Sequence, residues 1–277
     1  MPELPEVETV RLQLEREILG STIAVVEINE AKNFVGDKAL IIGEKIGKVG
    51  RVGKYLFVHF ESDKGLVIHL KMTGRLIIKP LDHLSIKPLE IDYETAKHTR
   101  VIITLADGRK VYYWDIRKFG YVRISEKLEM DKEKLLQKMG KEPWDITDKE
   151  LLGKLKRTTR PIKEAILDQS ILSGVGNIYA NDGLWLAGID PRHKANSLKL
   201  KDIKKLRESL CTVLKRGLAV GGASDNTYRD FYGERGSYQD EFLTYGRTGE
   251  PCNKCGKKLK RIVVGGRGSW ICEICQK

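Results

Sequence analysis

Two pairs of cysteines, Cys252 with Cys255 and Cys272 with Cys275, stand sixteen residues apart at the end of a 277-residue chain. Each C-x2-C pair fits a tight turn that offers two thiolates, and two such turns close a tetrahedral four-sulfur shell around one Zn2+. No other feature restricts the fold as much: residues 246–277 must form a compact module centred on a metal. Between the pairs, residues 259–264 and 269–271 alternate like two strands of a hairpin. Gly265, Gly266 and Gly268 are available for its turn, which places Arg267 at the tip, where it can meet a phosphate. Four protein ligands leave no position for a reacting water, so the zinc is expected to be structural. Cys211 stands alone in a helical run and is assigned no catalytic role.

The rest of the chain changes texture once. Residues 5–19 carry Val7, Val10, Leu14 and Ile18 at helical spacing, and Gly20 ends the pattern. Short β-rich runs follow at 23–28, 45–52, 55–60, 66–70, 76–78, 100–105, 110–113 and 121–124, with Asp107-Gly108 as a hairpin turn. Residues 1–130 therefore read as one helix followed by a β-sandwich or flattened barrel. Residues 131–150 form a charged linker, and helical patterns occupy 148–157, 161–170, 177–187 and 199–219. Gly221-Gly222 opens an aperiodic stretch, 223–240, rich in polar and aromatic residues, of the kind that usually serves function. The expected fold is α+β with two domains. A helix plus β-sandwich (1–130) precedes a helical domain (151–245, with the loop 223–240), which ends in the β-hairpin zinc module (246–277).

Lysine and arginine outnumber acidic residues by 50 to 38, a net charge of +12. The excess is concentrated in 151–217 and 251–277, which points to a polyanionic partner. No apolar run approaches the length of a membrane span and no secretory signal pattern opens the chain, so a cytoplasmic protein is expected.

The start, Met1-Pro2-Glu3-Leu4-Pro5-Glu6, admits two interpretations. Pro and Glu are favoured in any first helical turn. Removal of Met1 would also expose Pro2 as a secondary amine, a nucleophile toward the anomeric carbon of a sugar. Asn177, after Gly174-Val175-Gly176, opens a helix whose first amides can grip a phosphate.

Taken together, MPELPEVETV, GKYLFV (53–58), HLKMTGR (69–75), DIRKFG (115–120), GVGNIY (174–179), GERGSYQ (233–239), TYGR (244–247) and the cysteine module resemble the formamidopyrimidine-DNA glycosylase family, which also holds endonuclease VIII. The resemblance spans essentially the whole chain. It implies a bifunctional DNA glycosylase and abasic-site lyase, monomeric and associated with the bacterial nucleoid. Its partner would be double-stranded DNA carrying oxidised purines or abasic sites, and its cofactor one structural Zn2+. It assigns Pro2 as nucleophile and Schiff-base former and Glu3 as the acid at the sugar ring oxygen, with Glu6 as a supporting carboxylate. Lys54 is assigned to proton transfer in β-elimination, and Arg267 to phosphate binding and δ-elimination. Met72, Arg117 and Phe119 match the three residues that fill the void left by a flipped nucleotide. His69, His98 and Asn177 match DNA contacts. Lys163 matches another, and Arg157 stands in for a lysine usual near Thr158. The helical domain matches a helix–two-turn–helix.

Two alternatives remain at this level. The endonuclease VIII-like branch prefers oxidised pyrimidines. Against it stand the Arg117-Lys118-Phe119 sequence and the loop running from Ser224 through Tyr228, Gly233, Glu234 and Gly236 to Tyr238 and Gln239, which resembles the purine-lesion cap except that Tyr238 replaces the commoner phenylalanine. A non-catalytic DNA-binding module would lack Pro2 or Glu3, and both are present.

Overall fold

The computed structural model describes residues 1–79, 91–225 and 227–277. They divide into two compact units, Met1–Leu135 with Val220–Ser237, and Leu136–Ala219 with Tyr238–Lys277.

In the first unit, helix α1 (Leu4–Ile18) buries Leu4, Val7, Val10, Leu14 and Ile18, the stripe expected from their spacing. Nine strands follow among the described residues: β1 (Ile23–Ile28), β2 (Phe34–Val35), β3 (Ile46–Val52), β4 (Tyr55–Phe60), β5 (Gly65–His69), β6 (Arg75–Lys79), β7 (Thr99–Leu105), β8 (Lys110–Trp114) and β9 (Tyr121–Ser125). They form a four-stranded sheet in the order β1-β7-β8-β6 and a five-stranded sheet in the order β2-β9-β5-β4-β3. Val26 and Ile103 of the first sheet, Leu56 and Ile68 of the second, and Val10 and Leu14 of α1 share one core. Burial of each such side chain contributes about 1.5–3 kcal/mol. Strand β2 has no signature in the sequence. Two residues are too few to show alternation, and the strand exists through its parallel pairing with β9, Phe34 beside Val122 and Val35 beside Arg123.

Residues 220–237 belong to this unit, although the sequence suggested that the whole loop 223–240 goes with the helices. Long-range contacts decide it. Phe231 is fully buried in the sandwich core, Ile78 N donates to Phe231 O at 2.9 Å, and Phe231 N donates to Gln13 Oε1 at 2.9 Å.

Helix α2 (Leu128–Lys138) leads to the second unit, which holds α3 (Asp148–Leu155), α4 (Ile162–Leu167), α5 (Asn177–Ala187) and α6 (Leu200–Ala219). A capping box starts α3: Glu150 N donates to Thr147 Oγ1 at 3.2 Å and Thr147 N to Glu150 Oε2 at 2.9 Å. Helix α4 is shorter than its pattern at both ends. Pro161 caps it, and Asp168 ends it by accepting from Ser170 N at 3.0 Å. The hairpin of β10 (Lys260–Val264) and β11 (Arg267–Ile271) closes the chain. Asp182 of α5 is fully buried and ties down the segment before the hairpin. Its carboxylate accepts from Leu243 N, Thr244 N and Tyr245 N at 2.9–3.1 Å, and from the Tyr238 hydroxyl at 3.1 Å. Among the described residues, no helix is long and apolar enough to cross a membrane.

Candidate active site

Pro2, Glu3 and Glu6 are buried at the start of α1. Glu6 holds this start in place. Its Oε2 accepts from Glu3 N at 2.7 Å, and its Oε1 accepts from Ala223 N at 2.8 Å. The Tyr228 hydroxyl donates to Glu6 O at 3.3 Å. One carboxylate therefore locks the N-terminus to the 220–237 segment through charge-assisted bonds, about twice as strong as neutral ones.

Lys54 is buried after Gly53, at the turn between β3 and β4. Its charge is felt by His69, at the end of β5. Burial, then the charges of Lys71 and Lys54, lower the His69 pKa to about 3. His69 is thus neutral at physiological pH. Its Nδ1 accepts from Lys71 N at 2.9 Å, which leaves Nε2 carrying the proton as a donor. His98 is half-buried, its Nδ1 3.1 Å from the Arg100 guanidinium. Partial burial and the Arg100 charge lower its pKa as well.

Met72, Arg117 and Phe119 are exposed, Met72 to 41% and Phe119 to 50%, as tip residues should be. The Arg117 guanidinium lies 4.7 Å from the centre of the Phe119 ring, within cation–π range. Both apolar tips follow a lysine in the left-handed region, Lys71 before Met72 (φ 51°) and Lys118 before Phe119 (φ 55°). Non-glycine residues seldom adopt that conformation, and here it turns each tip outward.

Asp115, which the sequence reading missed, holds the two tip loops together. It is fully buried. Oδ1 accepts from the Thr73 hydroxyl in the Met72 loop and from Arg117 N at 3.1 Å, and Oδ2 accepts from Gly120 N at 2.9 Å. Gly120 has no room for a side chain, since a Cβ there would collide with the Tyr113 hydroxyl. An Asp at a strand end bonding the amides that follow is a turn signal that could have been read from DIRKFG.

In the 223–240 loop, Ser224 is buried, donating its hydroxyl to Tyr228 O at 3.1 Å and accepting from Gly236 N at 3.0 Å. Residue 226 lies outside the described residues. Tyr238 is fully buried in the second unit, stacked 4.9 Å from Tyr179.

In the second unit, Asn177 is the first residue of α5, half-buried, with Gly176 at the cap. Gln169 fixes the turn before it: Gly174 N donates to its Oε1 at 2.9 Å, and its Nε2 donates to Val175 O at 3.0 Å. Arg157 is exposed with no side-chain partner among the described residues. Its neighbours Lys154 and Lys156 donate to backbone carbonyls of Ser170 and Asn196. Lys163, expected to contact DNA, is fully buried instead. Its ammonium donates to Gly268 O and Ser269 Oγ, both at 2.6 Å, and to Asn181 Oδ1 at 3.4 Å. It braces the finger from beneath, because an ammonium taken out of water must find partners inside the protein.

The finger turn is Gly265-Gly266, both at positive φ. Arg267 is not at the tip but begins β11 opposite Val264, and Gly268 is a strand residue. Gly265 packs on α4, where a Cβ would collide with Glu164. Arg267 is exposed. The four cysteine sulfurs lie within 4.8 Å of one another. Tetrahedral Zn–S bonds of about 2.3 Å place sulfurs roughly 3.8 Å apart, so the donor set fits zinc. Trp185 Nε1 donates to Cys252 Sγ at 3.3 Å, a bond that favours the thiolate.

A β-sandwich opening on a proline–glutamate pair, a helical domain and a four-cysteine finger in one chain define a class, the DNA-repair glycosylases that also act as lyases at abasic sites. Three family profiles match in order: the formamidopyrimidine-DNA glycosylase N-terminal domain over residues 1–122, the H2TH domain of the same enzymes over 139–229, and the zinc finger found in FPG and IleRS over 249–277. The formamidopyrimidine-DNA glycosylase of Herpetosiphon aurantiacus is 38% identical, with all of both chains covered. A Lactococcus lactis Fpg complex with abasic-site DNA superposes with a TM-score of 0.87 at 34% identity, 99% of each chain covered. The wild-type Lactococcus lactis Fpg (MutM) bound to N7-benzyl-Fapy-dG DNA gives 0.87 at 34%, with all of each covered. The chain belongs to the formamidopyrimidine-DNA glycosylase family. It is a bifunctional DNA glycosylase and lyase with one structural zinc ion.

Proposed function

We propose that the protein excises oxidised purines, 8-oxoguanine and formamidopyrimidines, from duplex DNA and then cleaves the strand by β,δ-elimination through a Schiff base at Pro2. The observation that carries this is the buried Pro2-Glu3 start, locked by both oxygens of Glu6. With Met1 removed, the Pro2 nitrogen is a secondary amine. It attacks C1′ of the lesion nucleotide, forming a C–N bond as the bond to the base breaks. Glu3 protonates the ring oxygen, the sugar opens, and an iminium forms on Pro2. The iminium acidifies the C2′ proton. Lys54 assists its transfer, which expels the 3′-phosphate. Arg267 binds the flanking phosphates while a second elimination expels the 5′-phosphate. Hydrolysis returns the free amine. Zinc, when bound, only holds the finger that carries Arg267.

Around this chemistry, Met72, Arg117 and Phe119 fill the void, with Arg117 facing the estranged base. His69, His98, Asn177 and Arg157 contact the DNA. Residues 1–130 together with 220–237 act as the catalytic domain, 131–150 as a linker, 151–219 with 238–245 as the helix–two-turn–helix domain and 246–277 as the finger. The enzyme works as a monomer in the bacterial cytoplasm, at the nucleoid.

A panel of single-lesion duplexes tests the assignment. 8-Oxoguanine opposite cytosine should be excised rapidly and thymine glycol opposite adenine slowly. The reverse order would move the chain to the pyrimidine-lesion branch.

A further inference from the structure

We propose that the turn at residues 30–33 is a bracket that presents Phe119 to the DNA, with Asn33 as its positioning residue. The proposal rests on Phe119 acting as a wedge.

Three residues of the turn, taken in chain order, meet three consecutive residues of the wedge loop. Glu30 forms an ion pair with Lys118. The Lys32 ammonium lies 5.9 Å from the centre of the Phe119 ring. Asn33 Nδ2 donates to Gly120 O at 2.6 Å. Past Tyr121 the contact continues, one residue out of step, into the parallel pairing of Phe34 with Val122 and Val35 with Arg123. The two-residue strand β2 thus anchors the bracket on β9, directly after the wedge loop. From within, Asp115 takes Arg117 N and Gly120 N, so the bracket supplies the outer half of the support.

Asn33 carries the clearest mark of this role. It is fully buried, and its Oδ1 is buried without a hydrogen-bond partner. An unpartnered buried acceptor is unfavourable, and an apolar residue of the same size would avoid it. The fold keeps the amide where its donor fixes Gly120. A wedge needs this, because a half-exposed phenylalanine otherwise gains by folding back onto apolar surface, and Lys118 must also be held in its left-handed conformation.

Asn33→Leu separates positioning from stability. The substitution removes one orphan acceptor, Asn33 Oδ1, and creates another, Gly120 O, so Tm should move by no more than about 2 °C. Single-turnover excision of 8-oxoguanine opposite cytosine should slow about fivefold, as expected for one misplaced hydrogen bond. The preference for cytosine over adenine opposite the lesion should shrink with it. Phe119→Ala alone should slow excision further, and the double variant should be no slower than Phe119→Ala, because contacts acting through one residue do not add. Glu30→Gln, a change at the surface, should show a weaker loss with the same non-additivity, and it decides the matter if Asn33→Leu does not fold. Full additivity with Phe119→Ala, or normal excision by both Asn33→Leu and Glu30→Gln while Phe119→Ala is slow, would overturn the bracket and leave the wedge standing. Normal excision by Phe119→Ala would overturn the wedge itself.

Discussion

The proposed wedge of the first unit and the finger of the second hold exposed side chains on or beside tight turns, with opposite kinds of polar group beneath them. Under the wedge lies a buried carboxylate, Asp115, which gathers backbone amides and the Thr73 hydroxyl. Under the finger lies a buried ammonium, Lys163, which gathers Gly268 O and Ser269 Oγ. The backbone around Asp115 turns its N–H groups inward and needs an acceptor, whereas the hairpin over Lys163 turns acceptors inward and needs a donor. The finger also has a metal site. A thirty-residue module has too little apolar core to hold its shape alone, while the wedge grows from a sandwich that already has one. Each exposed side chain is therefore held locally, by a buried polar side chain that satisfies the backbone groups its turn leaves unpaired.

The largest expected effect strikes the finger alone. Cys255→Ser should lose zinc, unfold the finger and weaken DNA binding in one step, since metal binding supplies folding energy of about 10 kcal/mol or more in such modules. Thiol-release titration of zinc alongside binding to an abasic-site duplex measures both. Full activity in a verified zinc-free protein would break the comparison.

Asp115→Ala strikes the wedge. It leaves Gly120 N and the Thr73 hydroxyl without their acceptor and Arg117 N with Thr73 Oγ1 alone, at a cost of about 3 kcal/mol in urea unfolding. The preference for cytosine opposite the lesion should be lost, as in Arg117→Ala. A guanidinium facing cytosine meets two acceptors where adenine offers one, a difference of about 1–3 kcal/mol. Finger-dependent binding to a product duplex should change little.

Lys163→Met should give the converse pattern with a smaller loss, about 1–2 kcal/mol of stability, because methionine fills the space but leaves the hairpin acceptors unpartnered. Affinity for abasic-site DNA should fall through Arg267 while the opposite-base preference stays intact. If both variants lost both properties alike, the two supports would not be separate.

Such buried charges were the least legible part of the sequence. Periodicity located α1, β1, β4 and α5 to within a residue or so, and cysteine spacing located the finger, because these are local patterns. Lys163 reads as a surface charge from its neighbours in sequence. Only the hairpin a hundred residues later makes it internal, although its place in the apolar run Ile162, Ala165, Ile166 was a clue. Asp182 gave no clue at all, since its partners are the amides of residues 243–245 and a tyrosine at 238. The assignment of residues 220–237 to the first unit likewise depends on Glu6 and Gln13, more than two hundred residues away.

The smallest effect is a pH dependence confined to the first unit. His69 is lowered from 6.5 to about 3 in the fold. The unfolded chain therefore binds a proton that the folded chain does not between these values, so the stability present above pH 6.5 is lost as pH falls through that window. Between pH 7 and 5.5 the loss from this group should be about 1 kcal/mol, measured by urea unfolding, and His69→Gln should show less of it.

The central claim is that an amine at Pro2 does the chemistry, and borohydride trapping tests it most directly. The wild-type protein, incubated with an 8-oxoguanine–cytosine duplex and sodium borohydride, should form a covalent complex. Peptide mapping should place the DNA on Pro2, and an N-terminal extension that blocks the amine should abolish it. Trapping on Lys54 or any other lysine of the unblocked enzyme would contradict the account.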